Sequence, residues 1–350
     1  MSRPIKTVLL SFGMSGRVFH APFIRQHAGF QLLGAWERSK RQVEAAYPGT
    51  ISFPSLEAVL DSEAELVVVN TPNDTHFDFA SRALRAGKHV IVEKSFTATQ
   101  AEAESLNRQA RMAGLQIAVF QNRRWDSDFK SVKDILASGI LGEPIEAQFG
   151  YDRFNPGLSA KLHKENPTPG AGVLRDLGPH LIDQALVLFG MPQAVFADLR
   201  VTRERSLVQD YLEILMYYPR LRVRLHSGYF NCEPVSAYVV HGTRGSFHHD
   251  RTDVQESRLQ AGASPGSPDW GKDDAHGRIT VLQDGRPVRR EIPTPNGDYM
   301  DFYAGVHQAL RQGSNMPVTA EDGVRVMTII EAAETSAREM RVVPLIGTSG

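Results

Sequence analysis

The stretch "GVLRDLGPHLIDQAL", residues 172–186, reads as the start of an amphipathic helix, yet it sets Asp176, His180 and Asp183 among apolar residues. A helix that buries this face must satisfy every one of these titratable groups. Histidine titrates near neutral pH, so His180 suits the acceptance of a proton from a reacting hydroxyl. Asp176 lies one helical turn earlier and can face the same side if the helix already runs there. Pro179 fits only a helix's first turn, which gives the alternative that Asp176 stands at the helix entrance. Plainer readings stay open beside these: a satisfied core histidine, a capping aspartate, and an Asp183 that bonds substrate or a neighbouring element. A metal site built on these residues lacks further clustered His or Cys to complete it, so no metal is expected.

A second candidate is Lys94 in "KHVIVEKS". Lysine at the inner end of a buried parallel strand is costly unless it meets a partner or a ligand. Glu93 beside it reads as that partner or as a cofactor contact. A third is "SFGMSGRVFHAPFI", which follows an apolar run and opens a helix. Gly13 and Gly16 hold the second and third places of a G-x-G-x-x-G dinucleotide fingerprint, and Ser11 replaces the first. The loop with Phe12, Gly13, Ser15 and Gly16 would cradle a pyrophosphate on backbone amides and the helix dipole. In "AWERS", Glu37 lies where an acid binds the adenine-ribose hydroxyls, which favours NAD; Arg38 would instead pair with a 2′-phosphate and favour NADP. The reading leans to NAD. In "NTPNDTH", Thr71, Pro72 and Asn73, with His76 beyond, would loop over the cofactor, with Asp74 or Thr75 as the next helix's cap. "QNRRW" offers Asn122 to the cofactor, and Arg123, Arg124 and Trp125 toward a cleft. Tyr151, Arg153 and Phe154 end the strand that follows. Arginine and amide donors with aromatic faces suit a hydroxyl-rich ring; the alternative, for one of the two arginines Arg123 and Arg124, is interdomain salt bridging.

The elements that must position these residues can be read from periodicity. The runs "TVLLSF", "FQLLGAWE", "ELVVVNTP", "KHVIVEK" and "QIAVFQN" are apolar without alternation, as strands covered on both faces are. Helical patterns separate them, with Gly87 and Gly114 at C-terminal caps. Strands alternating with helices mean right-handed crossovers and a doubly wound parallel sheet, the Rossmann arrangement, over residues 1–122. The pattern then changes over 123–350. A helix "FKSVKDILASG" and a strand over 145–153 precede the opening helix, and several alternating strands follow, two of them joined as a hairpin at "YYPRLR". This half is α+β with a mostly antiparallel sheet. The Gly-, Pro- and Ser-rich segment 257–275 is expected to be a mobile, lid-like loop. The helix "EDGVRVMTIIEAAETSARE" closes the chain.

Composition narrows the classes. The chain has 350 residues, enough for two domains, with 41% hydrophobic and 23% charged residues, as a soluble globular protein has. Its 39 basic residues balance 40 acidic ones, which argues against a nucleic-acid or membrane-surface protein. A single cysteine, Cys232, excludes an intrachain disulfide framework and points to a reducing, cytoplasmic setting. The apolar run in "MSRPIKTVLLSFG" is too short for a signal core and reads as a first strand.

Taken together, "TPNDTH", "AGKHVIVEK", "QNRRWD" and "GAGVLRDLGPHLID" resemble the family of glucose–fructose oxidoreductases, inositol dehydrogenases and rhizopine-catabolism proteins, Gfo/Idh/MocA. The resemblance covers nearly the whole chain. The family's E-K-P is Glu93-Lys94-Ser95 here, and its G-G-x-x-x-D-x-G-x-H falls on residues 170–180 with Ala171 inside the glycine pair. "SGRVFHAP", "PNDTHF" and "NRRWDSDF" look most like the scyllo-inositol dehydrogenase-like branch. The resemblance implies a nicotinamide cofactor, NAD or NADP, and an open-faced second sheet through which homodimers or homotetramers form. It makes Lys94, Asp176 and His180 the catalytic set. Lys94, Arg124, Tyr151, Arg153, Asp176 and His180 are then the expected substrate contacts. The expected chemistry is removal of hydride and proton from a secondary hydroxyl of a cyclic polyol or sugar, His180 taking the proton and Lys94 stabilising the alkoxide. A dinucleotide-binding sensor that kept the fold without the chemistry is the rival reading. A methyltransferase would leave Lys94 and the second domain unexplained.

Overall fold

The computed structural model describes residues 3–37, 40–159, 165–168, 170–233 and 235–345. Arg38 lies outside the described residues. The chain forms two compact units, and their division is not a single cut. The first takes the chain up to Trp125 together with Gln255–Trp270 and Asp298–Val324; the second takes Asp126–Val254, Gly271–Gly297 and the end from Arg325.

The first unit opens with β1 (Ile5–Leu9), α1 (Ala21–Gln26), β2 (Phe30–Trp36), α2 (Gln42–Ala46), β3 (Ile51–Phe53), α3 (Leu56–Leu60), β4 (Leu66–Val69), α4 (His76–Arg85), β5 (His89–Glu93), α5 (Gln100–Ala113) and β6 (Ile117–Phe120). The six strands lie in the order β3-β2-β1-β4-β5-β6, every pair parallel. β4 and β6 are buried at every position, which is why their sequences carry no alternation. The order reverses between β1 and β4, so the loops after these strands flank a crevice at the carboxyl edge. β3 was not anticipated: a three-residue edge strand leaves no readable pattern. α5 is fixed at both ends, by a Thr99–Glu102 capping box and by Gly114 at φ 65°.

The second unit contains α6 (Ser127–Ala137), β7 (Pro144–Gly150), α7 (Val173–Asp176), α8 (Gly178–Phe189), β8 (Ala194–Arg200), β9 (Tyr211–Tyr217), β10 (Arg222–Ser227), β11 (Tyr238–Gly242), β12 (Gly245–His249), β13 (His276–Gln283), β14 (Arg286–Pro293) and β15 (Val343–Pro344). Its nine strands run β14-β13-β12-β11-β7-β10-β9-β8-β15. Only β7 and β10 pair in parallel; β9 and β10 form the expected hairpin. Alternation sets the two faces. Leu212, Ile214, Met216, Val223 and Leu225 are buried, while Tyr211, Glu213, Leu215, Tyr217, Arg222 and Arg224 alternate with them on the other face. α8 packs on β7 and β10.

Two later segments complete the first unit: α9 (Gln255–Gln260) and α10 (Met300–Gln312). Sequence reading passed over α10, which buries Phe302, Tyr303, Val306 and Ala309. Tyr303 stacks on Phe23 with ring centroids 5.4 Å apart, and Phe302 meets Phe120 edge-on at 5.0 Å. The first part of the expected lid is corrected by Trp270. That side chain is buried, packs against Phe23 at 5.9 Å and donates from Nε1 to Asp298 Oδ1 at 3.1 Å. Burying an indole with its N–H satisfied anchors a segment whose composition alone reads as loose. α11 (Ala320–Glu339) begins in the first unit and ends in the second.

Candidate functional site

In the first unit the glycine loop is held from below. Ser11 N donates to Asn70 Oδ1 at 3.0 Å and Asn70 Nδ2 donates to Ser11 O at 2.8 Å, tying the end of β1 to the end of β4. Ser11 fills the place of the first glycine without a left-handed backbone, and its Oγ accepts from Gly13 N at 3.2 Å. Gly16 is required: a Cβ there would stand 2.4 Å from Ser11 O. Gly13 is different, since a Cβ would meet only Ser11 Oγ, at 3.3 Å. Its exposed backbone leaves room for a diphosphate to approach, so the loop fits a dinucleotide. Phe12 is buried against Tyr47, so it contributes backbone rather than side chain to that loop.

A wide, π-type turn over Gly16–His20 leads into α1, closed by Ala21 N donating to Gly16 O. It aims His20 inward. His20 Nε2 lies 3.1 Å from Glu93 Oε1, and Nδ1 lies 2.8 Å from the Tyr303 hydroxyl. Glu93 Oε1 also accepts from Ser15 Oγ, and Oε2 accepts from the Lys94 amide at 3.2 Å. Burial alone would push the Glu93 carboxyl up. Hydrogen bonds from His20 and Ser15, and the charges of His20 and Lys94, outweigh it and hold the group below its ordinary value. Lys94 stands half-buried at the end of β5, and the Lys94–Ser95 peptide is cis.

The "TPNDTH" segment clamps the loop after Lys94. Asn73 Nδ2 donates to Ser95 O at 2.7 Å; His76 Nδ1 lies 2.9 Å from Ser95 O, and its Nε2 lies 2.9 Å from Thr71 O. Burial pushes the His76 pKa down against the pull of those carbonyls. Asn73 Oδ1 is buried with no hydrogen-bond partner among the described residues, an acceptor open to a donor on a ligand. Thr75 holds the N-cap position of α4 but makes no side-chain capping bond; its Oγ1 donates to Pro72 O at 2.6 Å, within a 3-10 turn over Asn73–Thr75. Thr71 Oγ1 meets Thr75 Oγ1 at 2.6 Å.

Glu37 does local work. Its Oε1 accepts from Gln42 N at 3.1 Å, and its Oε2 accepts from Val43 N at 3.0 Å and Ser52 Oγ at 3.1 Å. A carboxylate at the start of α2 satisfies orphan amides, a capping role that the strand-end position in the sequence does not announce. Asn122 is buried at the end of β6. Arg123 pairs with Glu256 at 2.6 Å and Arg124 with Asp322 at 3.4 Å, both within this unit. Both arginines do form salt bridges, but inside the first unit rather than between domains as the alternative reading expected.

In the second unit the helix of residues 172–186 is broken. α7 enters through Gly172 at φ 85°, ends at Asp176, and α8 starts anew at Gly178. Pro179 cannot donate to a carbonyl four residues back, so the chain bends at Leu177. Asp176 therefore closes a single turn and His180 lies in the first turn of α8, its amide donating to Leu177 O at 3.2 Å. His180, Asp183 and Gln184 are buried, and Tyr238 donates to Gln184 Oε1 at 3.1 Å. The Tyr151 ring has the guanidinium of Arg251 at 4.1 Å and that of Arg153 at 5.1 Å. Tyr229, unnoticed in the sequence, lies close to this group. Burial raises its pKa, the charges of Arg153 and Arg203 lower it and those of Asp176 and Glu165 raise it. Its signal was the alternation of β10 continuing through "SGYF". Arg203 is buried between Glu165 Oε2 at 3.0 Å and Asp210 Oδ2 at 2.8 Å, and also donates to Gly157 O.

Among the sequence-predicted residues, the structure thus gathers Phe12, Gly13, Ser15, Gly16, Thr71, Pro72, Asn73, His76, Glu93 and Lys94 around the carboxyl edge of β1, β4 and β5. It sets Asp176 and His180 on one bend. It commits Glu37 and Arg124 to local partners. His20 and Tyr303 were missed, although His20 lies inside the quoted "SGRVFHAP".

A Rossmann unit with an open glycine cradle, joined to a mixed-sheet unit, defines an NAD(P)-dependent oxidoreductase. The chain belongs to the Gfo/Idh/MocA family: residues 5–121 match its NAD-binding Rossmann fold and residues 133–345 its C-terminal alpha/beta domain. It is 36% identical over 344 residues to scyllo-inositol 2-dehydrogenase (NADP(+)) IolW of Bacillus subtilis, covering 97% of this chain and 96% of that protein. It is 38% identical over 340 residues to the uncharacterized oxidoreductase YdgJ of Escherichia coli, covering 97% and 98%. The solved structure of YPO2259 from Yersinia pestis superposes with a TM-score of 0.95 at 38% identity, covering 100% of this chain and 99% of that one.

Proposed function

We propose that this enzyme interconverts a secondary hydroxyl and a carbonyl on a cyclic polyol or sugar of inositol type. The observation that carries the reading is the near full-length match to scyllo-inositol 2-dehydrogenase (NADP(+)), with Lys94, Asp176 and His180 all in their motif positions. The nicotinamide supplies hydride acceptance. Lys94 donates a hydrogen bond to the reacting hydroxyl and stabilises alkoxide charge, His180 takes the proton, and Asp176 orients the imidazole. Tyr151 and Arg153 offer an aromatic face and donors to the remaining hydroxyls.

The lean to NAD rested on Glu37 as a ribose acceptor. Its carboxylate already accepts three hydrogen bonds from the fold. That use, with the NADP named for the Bacillus relative, supports NADP as the cofactor of this reading. The half-exposed face of the nine-stranded sheet, with Tyr211, Leu215 and Tyr217 on it, supports self-association as a homodimer or homotetramer. A cytoplasmic setting accords with the one cysteine.

The test is absorbance of reduced nicotinamide, with NAD or NADP and a panel of inositols, aldoses and deoxy sugars. Turnover with a polyol and a preference for NADP supports the reading, and Lys94→Ala should then abolish turnover while cofactor affinity stays within a few-fold. Tight cofactor binding with no turnover anywhere in the panel refutes it in favour of a sensor.

A further inference from the structure

The buried pair His20–Glu93 is not used by the chemistry above. The His20 side chain is fully buried, beside the Phe120 ring at 4.5 Å. The Tyr303 hydroxyl gives its one proton to Phe19 O at 2.8 Å, so its oxygen accepts from His20 Nδ1–H. His20 Nε2 then faces Glu93 Oε1 at 3.1 Å with one proton between them, since two lone pairs would repel at that distance. Glu93 meanwhile accepts from Ser15 and from the Lys94 amide, which suits an ionised carboxylate. Burying such a pair gains the fold little, because well-packed apolar residues usually do as well. What the pair does hold is Ser15, in the glycine loop, and the backbone where β5 ends.

We propose that His20 is a positioning residue for the cofactor: through Glu93 it fixes the glycine loop and the start of the Lys94 loop in one arrangement before the dinucleotide arrives. This rests on the dinucleotide binding at the glycine loop. The titratable groups facing the pair are Tyr303 from α10, Lys94 at the end of β5 and His76 from α4; the charge of Lys94 acts on Glu93, and that of Glu93 on Tyr303 and His76.

The experiment is fluorescence titration of NADPH and NADH on the full chain. His20→Gln and Glu93→Gln should each weaken binding roughly tenfold, the scale of one charge-assisted hydrogen bond. The double variant should be no worse than either single one. Tyr303→Phe, which leaves both partners and removes the hydroxyl that accepts from Nδ1–H and donates to Phe19 O, should weaken binding a few-fold and decides the matter if His20→Gln does not fold. Wild-type affinity in the single variants or additive losses in the double one would each overturn the proposal. Gly13→Ala separates the premise: if it leaves affinity unchanged, the loop assignment fails and the proposal with it.

Discussion

The two glycines of the loop should respond in opposite ways to the same added methyl. At Gly16 the new carbon would lie 2.4 Å from Ser11 O, and that oxygen cannot retreat because Asn70 Nδ2 holds it at 2.8 Å. Overpacking of this kind costs about 1–3 kcal/mol. Replacing glycine by alanine at a helical position returns about 0.5–1 kcal/mol. The net is a loss centred on about 1 kcal/mol, or a fall in Tm of roughly 1–2 °C for a chain of this length. At Gly13 the methyl meets only Ser11 Oγ at 3.3 Å, on the exposed part of the loop that the reading assigns to the dinucleotide. Stability there should stay within about 0.5 kcal/mol of wild type, as surface substitutions do. Affinity for NADPH should instead fall about tenfold, equivalent to 1.4 kcal/mol. Thermal melts without cofactor and fluorescence titrations with it read the two effects separately. An unchanged Tm in Gly16→Ala would refute the steric argument, and a large fall in Tm in Gly13→Ala would refute the assignment of an open cradle.

Two further outcomes follow from buried charge. Arg203→Met removes the cation between Glu165 and Asp210 and should cost about 3–5 kcal/mol in urea unfolding; adding Glu165→Gln and Asp210→Asn should recover most of it, and a silent single variant would show that the cluster carries no net charge strain. Burial depresses the folded pKa of His76, so the stability it contributes is complete above its unfolded value near 6.5 and is lost as pH falls through that value toward the folded one. Wild-type Tm should therefore fall between pH 7 and pH 5, and His76→Gln should flatten that part of the curve; an identical slope in both would assign the loss to other groups.

The parallel strands were legible because burial on both faces writes an uninterrupted apolar run, as in Leu66–Val69. The glycine loop was legible because only small residues suit its geometry. Other features left weaker marks. β3 is too short to show a period. The local work of Glu37 left no mark in the sequence, because a strand-end acid satisfies helix amides or ribose hydroxyls with the same residue type, and only distance shows the amides it holds. The bend at Leu177 was half-visible: Pro179 marked a helix start, but not that Asp176 would close a separate turn. Tyr303 and Trp270 were hidden for another reason. Their importance comes from segments far along the chain packing on Phe23, which no local pattern records.

That arrangement bears on how the protein is made. The first unit's aromatic core draws Phe23, Phe30 and Phe120 from the early chain, and Phe302 and Tyr303 from α10. During synthesis the early strands leave the ribosome with one flank of their core still untranslated. His20 has no hydroxyl to bond until Tyr303 emerges. The nucleotide-binding half, first in the sequence, is thus among the last parts to finish folding, and a nascent chain stopped before α10 would present uncovered aromatic rings to the cell's chaperones.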